Sequence, residues 1–376
     1  MCRIPQSLRQ LLSALLIAAA CLSMTSCSEE PPLKIGFVGG LTGRVADLGV
    51  AGRDAVVLAI EEKNRSGGIA GRKVELVVRD DRQDGEIAKQ AIRELVNEQV
   101  VAIIGPMTSS IAAVIQPLVN SDQIVTVSPT AMANRFSGQD DFFFRVAAPL
   151  SRSAEKIADH AAKGLNLKRF VVVYDISNRA FTEDWLDSFK KALLKNGGQV
   201  VSAEEFTSGP NVHFLPIAQR ALQTGPDAVL FVSNAIDTAL LVQQVRKLES
   251  DVPLFSSEWA FTTDLISFGG RAVNGMSSFH SFNASFQEAG YLAFAERFTK
   301  RFGYAPSFAT VLAYDAAAYL FDGLEKNPVR SGLKETLLKL GSFRGLQSEV
   351  VVDDFGDVER ELFLTVIENG QFKVVE

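Results

Sequence analysis

The feature that most restricts the fold of this chain is a regular alternation of apolar strands with amphipathic helices. The clearest case is residues 100–104, a β-branched run without polar alternation, which is typical of a parallel strand buried on both faces. Gly105-Pro106 ends the run, and a helical pattern follows at once. Because parallel strands need a crossover that is usually helical, the alternation predicts an α/β protein with doubly wound parallel sheets.

The alternation continues through most of the chain, and it is too extensive for a single sheet. Strand patterns lie at residues 33–38, 73–79, 100–104, 124–127, 142–146, 170–174, 200–206 and 228–232. Helical patterns lie at residues 48–66, 86–98, 153–163, 182–195, 212–223, 238–248, 291–302 and 310–324. Two sheets are therefore expected.

The last part of the chain has a different character. Strand patterns lie at residues 348–352, 361–367 and 372–375, and short polar turns join them. The turn Glu368-Asn369-Gly370 is a hairpin signal. We therefore expect these strands to pair in an antiparallel manner.

The first residues have the features of a bacterial secretion signal. Two arginines precede an apolar run at residues 11–22, and the sequence becomes polar after Cys27. Residues 24–27, Met-Thr-Ser-Cys, resemble a lipobox, in which the cysteine becomes the lipidated first residue of the mature protein. The alternatives are lipidation at Cys21 and a cleaved signal without a lipid.

Charge and cysteine content exclude several classes of protein. The chain has 376 residues and a formal net charge of −6, which becomes −8 when the two arginines of the signal are removed. This charge argues against nucleic-acid binding. Cys27 would then be the only cysteine, so we expect neither an intrachain disulfide nor a cysteine metal cluster. His160, His213 and His280 lack metal-binding spacing, and we expect no metal and no cofactor.

Motifs that would indicate an enzyme fail on detail. Residues 39–43 follow a strand, but Leu41 stands where a dinucleotide-binding fingerprint requires glycine. The serines of residues 108–110 lack a GxSxG elbow and a histidine motif to supply a base. Asp80-Asp81 and Asp353-Asp354 are expected to be solvated clusters at strand ends. We therefore expect a protein without catalytic activity.

Ser109 and Ser110 mark the start of the helix that follows residues 100–104. Either serine can be the N-cap of that helix. The free backbone N–H groups and the hydroxyls together favour a carboxylate or a phosphate at this helix end. The alternative is that the serines only cap a structural helix.

Eight segments of the sequence, in this order, resemble type I periplasmic binding proteins of the branched-chain amino-acid class. They are KIGFVGGLTG, GGIAGRKVELVVRDDRQD, VVAIIGPMTSS, VTVSPTA, FFFRVAAP, GPDAVLFVSNAIDTALLVQQVRKL, PLFSSEWA and VLAYDAAAYL. The resemblance implies two α/β lobes joined by three crossovers, near residues 148–149, 278–282 and 344–346, with the ligand in the cleft between the lobes. The implied organisation is a signal peptide at 1–26, a tether at 27–33, an N-terminal lobe at 34–148 plus 281–344, and a C-terminal lobe at 149–280 plus 345–376.

The resemblance also implies the polar part of the binding site. Ser109, with Ser110 beside it, matches the serine that binds the ligand carboxylate. Thr130, Ala131 and Met132 match a second binding loop.

Met132 stands where amino-acid binders often have a hydroxyl, so only its backbone contact is expected. Glu258 matches the acid that pairs with the ligand α-ammonium. A solvent-facing loop glutamate is the alternative for Glu258.

The pocket for the ligand side chain is implied to be neutral and bulky. Leu48, Phe181 and Asn234 match positions where family members carry ligand-covering aromatics, and Trp259 is a further wall. None of these is a lysine or arginine, which favours an uncharged, largely apolar ligand side chain. Core packing is the alternative for the two aromatic residues.

The expected function is that of an extracytoplasmic receptor, lipid-anchored in the cell envelope, which delivers a small neutral amino acid to the permease subunits of an ABC importer. A monomer is expected. The alternatives are a sensory or activator lipoprotein and a receptor for an amide or an aromatic acid.

Overall fold

The computed structural model describes residues 30–375, so the predicted signal peptide, Cys21 and Cys27 lie outside the described residues. The strands are β1 Leu33–Gly39, β2 Val74–Asp80, β3 Ala102–Ile104, β4 Thr126–Ser128, β5 Phe143–Arg145, β6 Arg169–Asp175, β7 Gln199–Phe206, β8 Ala228–Val232, β9 Leu254–Ser256, β10 Ser277–His280, β11 Ser342–Arg344, β12 Glu349–Val352, β13 Val358–Glu359, β14 Phe363–Glu368 and β15 Gln371–Val374. The helices are α1 Ala46–Arg65, α2 Gly85–Asn97, α3 Ser109–Ser121, α4 Leu150–Asp159, α5 Arg179–Lys195, α6 Phe214–Gln223, α7 Ala235–Lys247, α8 Thr263–Gly269, α9 Ala289–Phe302, α10 Phe308–Lys326 and α11 Leu333–Leu338. Across residues 30–375, no helix combines the length and the apolar character needed to cross a membrane.

The first sheet has five parallel strands in the order β2-β1-β3-β4-β5. Its central strands are buried because their residues are almost all apolar, as in residues 102–104. The chain leaves β1 towards β2 and then returns to the other side of β1, so the strand order reverses between β1 and β3. Ligands of open α/β sheets bind at such a reversal, at the carboxyl ends of the strands. We call this sheet and the helices packed on it the first lobe.

The second sheet has seven strands in the order β15-β14-β10-β9-β8-β6-β7. The strands β6 to β10 are parallel, and β14 and β15 add to the edge in antiparallel orientation. Asn369 and Gly370, with φ of 52° and 72°, form the tight turn between them, which confirms the predicted hairpin. We call this sheet with its helices the second lobe, and the predicted α/β architecture with two doubly wound sheets is confirmed.

A third, three-stranded sheet corrects one expectation about the end of the chain. The strands β11, β12 and β13 pair with one another and not with β14. The sheet is attached to the first lobe, because Arg145 of β5 donates to Asp357 and to the carbonyl of Gly356. Residues 349–359 therefore pack with the first lobe, whereas the resemblance implies that 345–376 belong to the second. We propose that the last crossover lies near Arg360.

The crossovers between the lobes are held by a buried ion pair. Arg360 donates from Nη2 to Asp315 Oδ2 at 2.7 Å and from Nε to the carbonyl of Val146 at 2.5 Å. Asp315 Oδ1 in turn accepts from the backbone N–H of Leu346. The Arg360 and Asp315 side chains are 3% and 0% exposed, so this pair connects the first crossover with the last inside the protein.

The second crossover is connected to the same region by an amide. Gln347 donates from Nε2 to the carbonyl of Asn283, and its Oε1 accepts from the Asn283 backbone N–H. Because Leu346 and Gln347 are adjacent in the chain, these hydrogen bonds link Val146, Asn283 and Arg360, one residue from each connection between the lobes. We call this hydrogen-bonded group the hinge.

We expect Arg360→Ala to lower the free energy of unfolding by about 3–5 kcal/mol, because it leaves the buried Asp315 carboxylate without its partner. Arg344→Ala is the matched control, since its partner Glu288 and Arg344 itself are 59% and 65% exposed, and the cost should stay below about 1 kcal/mol. Urea unfolding of the ligand-free protein measures both. Equal losses of stability in the two variants would show that the buried pair of Arg360 and Asp315 stabilises the protein no more than an exposed pair does.

Candidate functional site

The carboxyl end of β3 turns sharply into α3 and places two serines at the cleft. Gly105 has a φ of +113°, and a Cβ there would lie 2.0 Å from the carbonyl oxygen of Val38, so the position requires glycine. The N-cap of α3 is Thr108, whose hydroxyl donates to Gln83 instead of capping the helix. The expectation that Ser109 or Ser110 is the N-cap is therefore wrong, because the helix begins one residue earlier.

Ser109 and Ser110 face different partners. The Ser109 hydroxyl oxygen accepts from the backbone N–H groups of Met132 and Ala133, each at 3.2 Å. A hydroxyl has two acceptor lone pairs and one donor, so only the Ser109 O–H remains for a further partner. Ser110 contacts the second lobe, because its N–H donates to Asn178 Oδ1 and its oxygen accepts from the Ala180 N–H.

The loop after β4 is fixed by two hydroxyls. Ser128 donates to the carbonyl of Pro106 and accepts from the N–H of Ala131, and Thr130 donates to the carbonyl of Met107. The Thr130 proton is thus used within the protein, and only its lone pairs are free for a ligand. The loop and the start of α3 form one rigid wall of the cleft.

Glu258 follows β9 and enters the cleft from the second lobe. Its side chain is 1% exposed, and its Oε2 accepts from the indole Nε1 of Trp185 at 3.2 Å. Oε1 is buried without any partner in the described part of the chain. Burial raises the pKa of Glu258 from 4.5 to about 7, while hydrogen bonds from its own backbone N–H and from Trp185 act in the opposite direction.

The cavity between these groups is tightly closed, with a volume of about 20 Å³. Phe181 and Trp259 meet edge to face in its wall, with ring centroids 5.7 Å apart. The lining residues are Leu48, Met107, Thr108, Ser109, Thr130, Met132, Asn178, Phe181, Glu258, Trp259 and Phe308. The wall is therefore mostly apolar, with an acid from one lobe and hydroxyls from the other.

Seven of the ten predicted ligand-binding residues line this cavity: Leu48, Ser109, Thr130, Met132, Phe181, Glu258 and Trp259. Ser110 and Ala131 are chain neighbours of lining residues and do not line the cavity themselves. Asn234 does not line it either; it is the N-cap of α7, accepts from the Asp237 N–H and donates to the Asp237 carboxylate. Four lining residues were not predicted: Met107, Thr108, Asn178 and Phe308. Trp185, which lies behind Glu258, was not predicted either. The one signal for Phe308 was an aromatic residue just before a predicted helix.

The rims of the cleft also contact each other. Arg44 of the first lobe donates to Asp237 of the second at 2.6 Å, and Thr262 of the second lobe donates to Asp47 of the first at 2.7 Å. Burial raises the pKa of Asp47 to about 6. The lobes therefore enclose the cavity in a closed arrangement.

A larger groove, of about 860 Å³, lies on another part of the protein. It is bounded by Phe261 and Phe372 of the second lobe and by Tyr291 and Leu292 of α9. None of the predicted ligand-binding residues lines it. Size alone would select this groove, but the smaller cavity contains a buried carboxylate oxygen without a partner, and this makes the smaller cavity the candidate site.

A family model described as periplasmic binding protein matches residues 32–371. The chain belongs to the periplasmic binding protein family. Proteins of this family are extracytoplasmic solute receptors and not enzymes. The two-lobed fold and the interlobe cleft of this periplasmic binding protein agree with that assignment.

This periplasmic binding protein is similar to relatives over most of its length. The Leu/Ile/Val-binding protein BraC3 of Rhizobium johnstonii is 25% identical over 316 residues, 84% of each chain. The leucine binding protein LivK of Thermotoga maritima has a TM-score of 0.84 at 26% identity, covering 92% of this chain and 98% of that one. A solute binding protein of R. palustris in complex with benzoate has a TM-score of 0.83 at 20% identity, covering 92% and 95%, and shows the fold alone. The named relatives thus include a Leu/Ile/Val-binding protein, a leucine binding protein and a protein in complex with benzoate.

The raised pKa of Glu258 makes the stability of the ligand-free protein depend on pH. Folding favours the protonated carboxyl of Glu258. The contribution of this group to the stability of the folded protein is therefore complete below about pH 4.5 and is lost as the pH rises through about 7. Glu258→Gln resembles the protonated form and lacks this loss. From about pH 5 to about pH 8, we expect the free energy of unfolding of wild type to fall relative to the variant by up to about 3 kcal/mol.

Chemical denaturation at the two pH values measures this difference. Glu359→Gln, at a side chain that is 81% exposed, is the control and should follow wild type. A constant difference between wild type and Glu258→Gln would mean that Glu258 stays in contact with water in solution.

Proposed function

We propose that this protein is the receptor of an ABC importer and that it binds a small neutral amino acid in the interlobe cleft. The observation that carries the proposal is Glu258, a buried carboxylate with one oxygen unpartnered. An ionised acid in such a place is costly unless a cation pairs with it. Since no cationic side chain lines the cavity, the ligand itself is the source of the cation, and an α-ammonium fits.

The opposite wall supports a carboxylate at the other end of the ligand. The Ser109 hydroxyl has its lone pairs occupied and its proton free, so it can only act as a donor towards a new partner. It stands in the first turn of α3, where the helix dipole favours negative charge. A donor at Ser109 and an anion at Glu258 are together complementary to the two ends of an amino acid.

The apolar residues determine the class of ligand side chain. Leu48, Met107 and Phe308 from the first lobe and Trp259 from the second enclose the remaining space. Neither a lysine nor an arginine lines the cavity, so an acidic ligand side chain would lack a partner. Branched-chain and other small apolar amino acids therefore fit best, as the names of the amino-acid-binding relatives also indicate.

An aromatic acid is the second candidate, because one solved relative of the same fold binds benzoate. The aromatic pair Phe181 and Trp259 would suit a ring. Such a ligand lacks an amine, and the ionised Glu258 would repel its carboxylate. It binds well only if Glu258 is protonated, which a pKa of about 7 permits below neutral pH. A sensory or activator role in the cell envelope would use the same cleft and differs only in the protein partner.

Two variants distinguish the amino acid from an acid without an amine. Thermal-shift measurements with an amino-acid panel first identify a ligand, since a ligand at a hundred times its dissociation constant adds about 2.7 kcal/mol of stability. Ser109→Ala should then weaken that amino acid and its deaminated analogue by similar factors, about ten- to a hundredfold. Glu258→Gln should weaken the amino acid steeply and leave the analogue unchanged or bound more tightly.

Calorimetry on both variants with both ligands forms a double cycle. If Glu258→Gln weakens the two ligands equally, Glu258 does not bind the amine and the amino-acid assignment loses its support. A thermal shift with aromatic acids or amides but with no amino acid would favour the second candidate.

We also propose that the mature protein, expected to be a monomer, is anchored to the membrane by a lipid on Cys27; the lipobox-like sequence supports the anchor. Cys27→Ala should move the protein from the membrane to the soluble fraction while ligand binding persists. Fractionation followed by immunoblotting measures this. Membrane retention of the variant would favour Cys21 or another attachment.

A further inference from the structure

Trp185 is the side chain that determines what Glu258 presents to the cleft. Its indole Nε1 lies 3.2 Å from Glu258 Oε2, and both side chains are almost completely buried. Within residues 30–375 it is the one side chain that donates to this carboxylate. Sequence patterns gave no reason to single it out, because a tryptophan on the inner face of a helix usually belongs to the core.

We propose that Trp185 is a positioning residue for ligand binding: its indole N–H holds Oε2 of Glu258 and thereby directs the unpartnered Oε1 at the ligand amine. The proposal rests on the proposed function and adds a second layer to the site. Trp185 itself does not line the cavity. It acts on the ligand only through Glu258.

The indole of Trp185 lies in a row of aromatic side chains along α5 and packs against one of them. Phe181, Trp185 and Phe189 follow one another at intervals of four and lie on one face of the helix. Phe181 packs against Trp259 in the cavity wall, and Phe189 packs against Trp185 with ring centroids 5.7 Å apart. The indole is therefore oriented before the ligand arrives, which reduces the entropy lost on binding.

A neutral donor suits this position better than a cation. A lysine or arginine in place of Trp185 would neutralise Glu258 within the protein and remove its need for a ligand cation. The indole N–H instead favours the ionised form of Glu258 and adds no charge. Burial raises the pKa of Glu258, and the hydrogen bond from Trp185 opposes that rise.

The first test uses fluorescence and needs no ligand. The chain has two tryptophans, Trp185 and Trp259, so Trp259→Phe leaves Trp185 as the only indole. The fluorescence emission of Trp185 should change with pH as Glu258 titrates, with a midpoint at about pH 7. Adding Glu258→Gln to this background should remove the transition. A transition that persists with glutamine, or none in the parent, overturns the contact in solution.

The second test makes the same substitution, tryptophan to phenylalanine, at Trp185 and at Trp259. Trp185→Phe removes the N–H and keeps an aromatic ring, so amino-acid affinity at about pH 7 should fall about tenfold and recover in part at about pH 8, while the deaminated analogue changes less than about twofold. Trp259→Phe changes the cavity wall without touching that hydrogen bond, and it should weaken both ligands by similar factors. Calorimetry on wild type and both variants, with both ligands at both pH values, measures these affinities.

The outcomes separate this proposal from the proposed function. If Trp185→Phe weakens both ligands equally at every pH, Trp185 is a packing residue and the proposal is wrong. If wild type binds no amino acid at all, the proposed function fails, yet the fluorescence titration still decides the contact between Trp185 and Glu258. The titration also decides it if Trp185→Phe does not fold.

Discussion

The buried pair of Arg360 and Asp315 is the interaction on which the arrangement of the two lobes depends. Each lobe is assembled from separate pieces of chain, so no single covalent connection fixes how the sheets face each other. Arg360 bonds to the carbonyl of Val146 and to Asp315, which in turn holds the N–H of Leu346. A buried ion pair is stable only with good geometry and further hydrogen bonds. These conditions are met here because the first and last crossovers lie side by side.

The candidate site differs from this ion pair, because the charged group at its centre, Glu258, has no charged partner. Glu258 has a neutral donor, Trp185, and no cation among the described residues. Closing the lobes therefore takes a carboxylate out of water at a cost in free energy. The rim contacts of Arg44 with Asp237 and of Asp47 with Thr262 favour closure, whereas the burial of Glu258 opposes it. The balance between these two effects determines whether the cleft opens.

The sequence predicted the fold well where one periodicity was sufficient. Parallel strands such as β3 are apolar on both faces, and the turn Asn369-Gly370 is specific for a hairpin, so both were recognisable. The small sheet was missed because strand patterns do not say which strand they pair with. The resemblance predicted that Asn234 covers the ligand. In the structure Asn234 is the N-cap of α7 and bonds to Asp237, a contact that depends on where α7 begins. Trp185 was missed since its role requires a tertiary contact with Glu258 across 73 residues of chain.

The stiff hinge and the unpaired carboxylate explain how a ligand can control the lobes. A ligand shifts an equilibrium only by its difference in affinity for the two states. In the closed arrangement Glu258 is buried. As proposed above, a ligand ammonium would pair with Glu258 and remove the cost of burying it, so its contribution at Glu258 would favour the closed arrangement. The hydrogen bonds among the crossovers, between Gln347 and Asn283 and between Arg360 and Asp315, would then transmit that attraction to more than one chain segment.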